Sequence, residues 1–131
     1  MIKLARSSES FMGRLLPPII EAGLTPTQFG VLEALYYLGP LMPSELAEKN
    51  LKSRNNLTLV IANLERDGLV RRESHERDRR SQIVHLTHEG RARIEAAMPL
   101  FVKQLVRETS VLTPEEQEQL SALLRKLGKA P

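Results

Sequence analysis

The sequence predicts a mainly α-helical domain bearing one small β-hairpin, and three observations predict it. Two short helical stretches, about 43–50 and from Ser53 to Asp67-Gly68, are joined by a tight turn at Leu51-Lys52. Two alternating segments, Leu69 to Glu73 and Gln82 to Leu86, follow at once and flank the tip Glu76-Arg77-Asp78-Arg79-Arg80. Amphipathic helices precede and follow that block. Together these describe a winged helix-turn-helix with dimerisation helices at its N- and C-terminal ends.

Each element has a local justification. Met12, Leu15, Leu16 and Ile19 form one apolar stripe in the first helix. Pro17 and Pro18 interrupt that stripe, so a kink or restart is expected there, and Gly23 ends the segment. Thr25-Pro26-Thr27-Gln28 opens the second helix, with Thr as N-cap, Pro at the first helical position and Gln closing a capping box. Phe29, Leu32, Leu35 and Tyr36 are its buried stripe, and Gly39-Pro40 stops it. Leu46 and Ala47 face inward from the short third helix. Ser53 caps the fourth, whose core face is Leu57, Val60, Ile61 and Leu64. Val84 and Leu86 alternate inward from the second strand, and Thr87 caps a long helix bearing Ile94, Met98, Phe101 and Leu105, bent at Pro99. Thr113-Pro114-Glu115-Glu116 repeats the capping-box pattern before Leu120, Leu123, Leu124 and Leu127.

Composition narrows the function classes. A chain of 131 residues is one domain by length and can bury a real core. It has no cysteine, which excludes disulfide scaffolds, iron–sulfur clusters, zinc ribbons and thiol redox sensing. No apolar run approaches the roughly eighteen residues of a membrane span. Arg6, Glu9 and Arg14 interrupt any signal-peptide core, so a soluble cytoplasmic protein is expected, with no membrane partner. The net charge is only +3, but residues 49–93 hold 11 Lys and Arg against 6 Asp and Glu, while the remainder holds 8 against 10. Basic charge is therefore concentrated on the helix-plus-hairpin block, as a double-stranded DNA partner requires.

Helical geometry sharpens that expectation. With Leu57, Val60, Ile61 and Leu64 pointing inward, the opposite face displays Asn55, Thr58, Leu59, Ala62 and Arg66, with Arg54 on the flank. Asn can bond adenine bidentately, Thr can reach base or phosphate, and Leu or Ala can pack on a thymine methyl. Ser53 and the free N–H groups at the helix start suit a phosphate oxygen. In the hairpin tip, Arg77, Arg79 and Arg80 must face water or an anion, and a slim ribbon can set a guanidinium in a minor groove. Asp78 would be repelled by phosphate, so its expected task is to orient a neighbouring arginine.

These residues resemble the MarR family of bacterial transcriptional regulators. The resemblance rests on Leu24-Thr25-Pro26-Thr27-Gln28-Phe29, Ser44-Glu45-Leu46-Ala47, Leu64-Glu65-Arg66-Asp67-Gly68-Leu69-Val70, Asp78-Arg79-Arg80, Leu86-Thr87-His88-Glu89-Gly90-Arg91 and Leu112-Thr113-Pro114-Glu115-Glu116. It covers nearly the whole chain as a single domain, with 24–90 as the winged helix-turn-helix and 1–23 and 91–131 as dimerisation helices. It implies that Arg80 enters the minor groove with Asp78 as its orienting partner, and that Arg54, Asn55, Asn56 and Thr58 enter the major groove. It also implies a homodimer, acting as a repressor on a palindromic operator. Leu59 departs from the family, where that outward position is often basic or polar, and a thymine-methyl contact is the alternative.

The residues argue for a dimer independently. Leu100, Phe101, Val102, Leu105 and Val106 nearly encircle their helix, more apolar surface than one subunit can cover. The family resemblance further implies a small aromatic or phenolic effector in a crevice between the dimer helices and the reading head. Phe11, Met12, Phe29, Tyr36 and Tyr37 fit such a crevice and fit a plain core equally well. His75, His85 and His88 lack the companions of a metal site, so no metal or other cofactor is expected. No nucleophile–base pair, phosphate loop or carboxylate dyad suggests an enzyme. The competing function is a winged-helix interaction module whose basic patch meets an acidic partner protein.

Overall fold

The computed structural model describes residues 2–50, 54–75 and 78–128, with the side chains of all but 2, 54, 55, 75 and 78–81. Its elements run α1 (Ile2–Glu21), α2 (Pro26–Leu38), α3 (Pro43–Asn50), α4 (Arg54–Arg66), β1 (Val70–His75), β2 (Asp78–Leu86), α5 (His88–Thr109) and α6 (Pro114–Gly128). The mainly helical fold with one antiparallel hairpin is the one expected.

Local chemistry sets the boundaries. Thr25 Oγ1 accepts from the Gln28 N–H at 3.2 Å while Gln28 Oε1 accepts from the Thr25 N–H at 3.0 Å, which is the capping box. At the end of α4, Gly68 takes φ 77°, its N–H donates to Glu65 and the Leu69 N–H donates to Leu64. That closure needs a left-handed residue, which glycine adopts without a Cβ penalty. Thr87 does two things at once: its hydroxyl donates to the Gly68 carbonyl at 2.6 Å and accepts from the Gly90 N–H at 3.0 Å. Gly90 sits so close to the Leu69 carbonyl that a Cβ would lie 1.9 Å from its oxygen. Thr87 and Gly90 thus lock the start of α5 onto the chain reversal after α4.

One core unites the helices and the hairpin. Val31, Leu32, Leu46, Leu57, Leu64, Val84 and Ile94 are fully buried within it. Phe29 and Phe101 stack at 4.7 Å between α2 and α5. Val60 and Leu86, both expected to face inward, pack against the same cluster. A contact without any local signal ties the α2–α3 connector to β2: Leu41 and Val84 exchange backbone hydrogen bonds of 3.2 and 2.8 Å.

Two expectations need correction. α1 does not restart at Pro17 and Pro18; it runs as one helix from Ile2 to Glu21. Pro18 has no N–H for the Arg14 carbonyl four residues back, but Gln104 Nε2 of α5 donates to that oxygen at 3.0 Å. The helix therefore loses a bond internally and regains it from its neighbour. The strands are also longer than the alternation implied, reaching His75 and beginning at Asp78. The ladder pairs Ser74 with Gln82 and then His75 with Asp78, so it passes over 79–81 in an irregularity at that point.

The α1–α5 packing is reinforced by Arg14 Nε on Glu108 at 2.6 Å and by Arg93 Nη1 donating to the Ala22 carbonyl at 3.2 Å. α6 is different. None of its residues is buried, and Leu120, Leu123, Leu124 and Leu127 are 44–63% exposed. No helix among the described residues is long and apolar enough to cross a membrane.

Candidate nucleic-acid interface

The amphipathic pattern of α4 decides which side chains it offers. Leu57, Ile61 and Leu64 are buried in the core, so the helix is held by that face. Turned away from it are Asn56, Thr58, Leu59 and Arg66, all exposed, with Ala62 half-buried. Leu59 is 64% exposed, an apolar side chain held in solvent beside polar ones. Arg54 and Asn55 occupy the first turn of α4, though their side chains lie outside the described residues, as does Ser53 altogether.

The hairpin follows directly. Asp78, Arg79 and Arg80 are in β2, at the ladder irregularity, rather than in a free tip. Bulges of this kind bend a strand and increase its twist, which redirects what it presents. The side chains of these three residues, and Arg77 as a whole, lie outside the described residues. On the solvent side of the ribbon, Glu73 receives Arg71 Nη1 at 3.3 Å, and His85 Nε2 approaches it to 3.0 Å without hydrogen-bond alignment.

The angle between helix and ribbon is held by a pair that sequence reasoning missed. Glu65, in the last turn of α4, accepts from the Arg72 guanidinium and from the Arg72 backbone N–H on β1. These hydrogen bonds, with the guanidinium charge, hold the Glu65 carboxyl below the usual carboxylate range. A signal was present: Arg72 pairs opposite Val84, on the inward alternation of β1, where a cation requires a partner.

The five aromatic and methionine positions considered for an effector are dispersed. Phe29 belongs to the core. Phe11 is half-buried on α1 with the Arg14 guanidinium 6.0 Å over its ring, and Met12 is 50% exposed. Tyr36 carries the Arg91 guanidinium at 5.5 Å, and Tyr37 stands edge-on to Tyr36 at 5.1 Å. Of the five, Tyr37 lines a groove between α2 and α3, and the other four do not.

A helix-turn-helix braced against a β-ribbon, with an outer helix face exposed to solvent, defines a winged-helix DNA-binding protein. The MarR family profile matches residues 24–82. The chain is 37% identical to the uncharacterized HTH-type transcriptional regulator YkoM of Bacillus subtilis, over 95% of this chain and 80% of that protein. It is 31% identical to the HTH-type transcriptional repressor MdtR of the same organism, over 99% of this chain and 86% of that one. Among solved structures it resembles Sco3205, a MarR family regulator of Streptomyces coelicolor in complex with DNA, at TM-score 0.91 and 28% identity, covering 98% of this chain and 88% of that one. It also resembles NadR in complex with 4-hydroxyphenylacetate, at TM-score 0.81 and 28% identity, covering 99% and 92%. This chain belongs to the MarR family and is a DNA-binding transcriptional regulator.

Proposed function

We propose that the chain acts as a homodimeric repressor of a palindromic operator and is released from it by a small aromatic effector. In this reading α4 enters the major groove, with Arg54, Asn55, Asn56 and Thr58 at base edges or phosphates and Leu59 against a thymine methyl. The hairpin carries Arg77, Arg79 and Arg80 over the adjacent minor groove, Asp78 orienting Arg80, and Ser53 meets a phosphate.

The observation that carries the reading is the α4 face itself. A solvated helix face is ordinarily charged, whereas this one exposes Asn56, Thr58 and a 64% exposed Leu59 next to a basic ribbon. The open leucine stripe of α6, with Val102 and Val106 exposed on α5, supports a dimer. The printed description of MdtR as a repressor supports repression, and the 4-hydroxyphenylacetate bound by NadR supports a phenolic effector class.

Selection of bound duplexes from a random pool, with sedimentation of the free protein, tests this. The expected result is a dimer that enriches an inverted repeat whose half-sites lie about one helical turn apart. Addition of 4-hydroxyphenylacetate is expected to release the DNA. A dimer that enriches no sequence would overturn the operator reading in favour of an acidic protein partner.

A further inference from the structure

We propose that the groove between α2 and α3 binds a small organic ammonium ion, its charge against Glu33 and its body along Ala34 and the Tyr37 ring. Of the residues considered for the effector crevice the groove includes Tyr37 and not the other four, and the proposal stands or falls independently of DNA binding.

The groove follows from helical spacing. Gly30, Glu33, Ala34 and Tyr37 stand at i, i+3, i+4 and i+7, so they share one face of α2. Lys49 and Asn50, at the end of α3, form the opposite wall and enclose about 320 Å³ with them. Asn50 is held at the end of the groove. The Asn50 side chain lies over Gly30, where a Cβ would come within 2.1 Å of its oxygen, and its Nδ2 donates to the Leu46 carbonyl at 2.9 Å.

Glu33 is the unusual member. It is half-buried on a groove wall, yet it has no hydrogen bond or ion pair among the described residues. Burial pushes its carboxyl above the usual carboxylate range, as expected where nothing offsets the lost hydration. Lys49 is exposed at the rim and forms no ion pair with it. A carboxylate in this position gains most from a cation that can enter the groove and shed water with it.

Tyr37 supplies the second half of the recognition. Its side chain is largely open to solvent while Tyr36 braces it edge-on. An open aromatic face attracts an alkylammonium through its quadrupole and packs an apolar body. A carboxylate of the same shape would meet Glu33 and be repelled.

The test is a titration of the isotope-labelled full chain, followed by amide NMR, with 2-phenylethylammonium and with 3-phenylpropionate. The ammonium is expected to shift the Gly30 amide and the Asn50 side-chain amide saturably, and the carboxylate is not. Glu33→Gln is expected to weaken ammonium binding by about tenfold or more. Because Glu33 has no partner to lose among the described residues, that variant should unfold at the same temperature as the parent or higher. Equal shifts by the two probes, shifts that do not saturate, or unchanged affinity in a folded Glu33→Gln variant would each overturn the assignment.

Discussion

Glu65 and Arg72 join α4 to the ribbon: Glu65 Oε1 accepts from Arg72 Nη2 at 2.7 Å and Nε at 3.2 Å, while Oε2 accepts from the Arg72 N–H at 3.3 Å. The pair therefore fixes both the end of α4 and the backbone at the start of β1. A helix and a ribbon held at a set angle can engage adjacent grooves of a duplex without ordering themselves on binding.

Glu65→Gln is expected to cost about 1 kcal/mol of stability, because the pair is partly exposed and screened. Its effect on DNA affinity should exceed what that small loss implies, since helix and ribbon lose their common reference. The pH dependence has a definite sign. Glu65 has a carboxyl lowered by folding, so its contribution is present above the unfolded carboxylate value and is lost as pH falls through the folded one. Urea titrations of parent and variant should converge at acid pH.

Arg80→Ala is expected to lower DNA affinity by about 1–3 kcal/mol and to relax preference for A·T sequence beneath the hairpin. Binding isotherms across a salt series check this; equal affinities and slopes would remove Arg80 from the interface. Leu59→Ala should weaken binding only to duplexes that present a thymine methyl, and uracil substitution in the half-site should reproduce the loss.

Gly90→Ala must displace the Leu69 carbonyl, because the added Cβ would sit 1.9 Å from it. Overpacking of this kind costs about 1–3 kcal/mol. Thr87→Val removes the cap hydroxyl that serves both Gly68 and Gly90, and about 1 kcal/mol is expected from the cap alone. Thermal unfolding of each variant gives the comparison.

Leu123→Asp and Leu127→Asp alter a helix with no buried residue, so the fold of each subunit should survive. Both are expected to convert a sedimenting dimer to monomer and to abolish high-affinity operator binding while circular dichroism stays helical. A variant that remains dimeric would place the interface elsewhere.

Gln104→Leu leaves the Arg14 carbonyl without its donor. The expected cost is about 1 kcal/mol, measurable in urea, with α1 the segment whose amide exchange accelerates most.

Much of this fold was legible because its signals are short. The Thr25–Gln28 capping box, the glycine stop at Gly68, the Thr87 cap and the inward stripe of α4 each depend on residues within a turn of one another. The family resemblance likewise rested on contiguous motifs, and the helix-plus-hairpin order followed from them. The outward residues of α4 could be read from the sequence because burial of Leu57, Ile61 and Leu64 leaves one exposed side.

The rest required the folded chain, because the partners are distant in sequence. Pro17 and Pro18 read as a break until Gln104, ninety residues from Arg14, supplied the missing donor. Leu41 gave no strand signal, yet Val84 draws its backbone into a bridge. Arg72 and Glu65 found one another only when the chain reversed after α4. Local sequence by itself determined the elements and their faces, since caps, stops and periodicity act through neighbouring backbone groups. Only the tertiary structure decided how helix and ribbon are braced and which polar groups are satisfied, since those hydrogen bonds close across the fold.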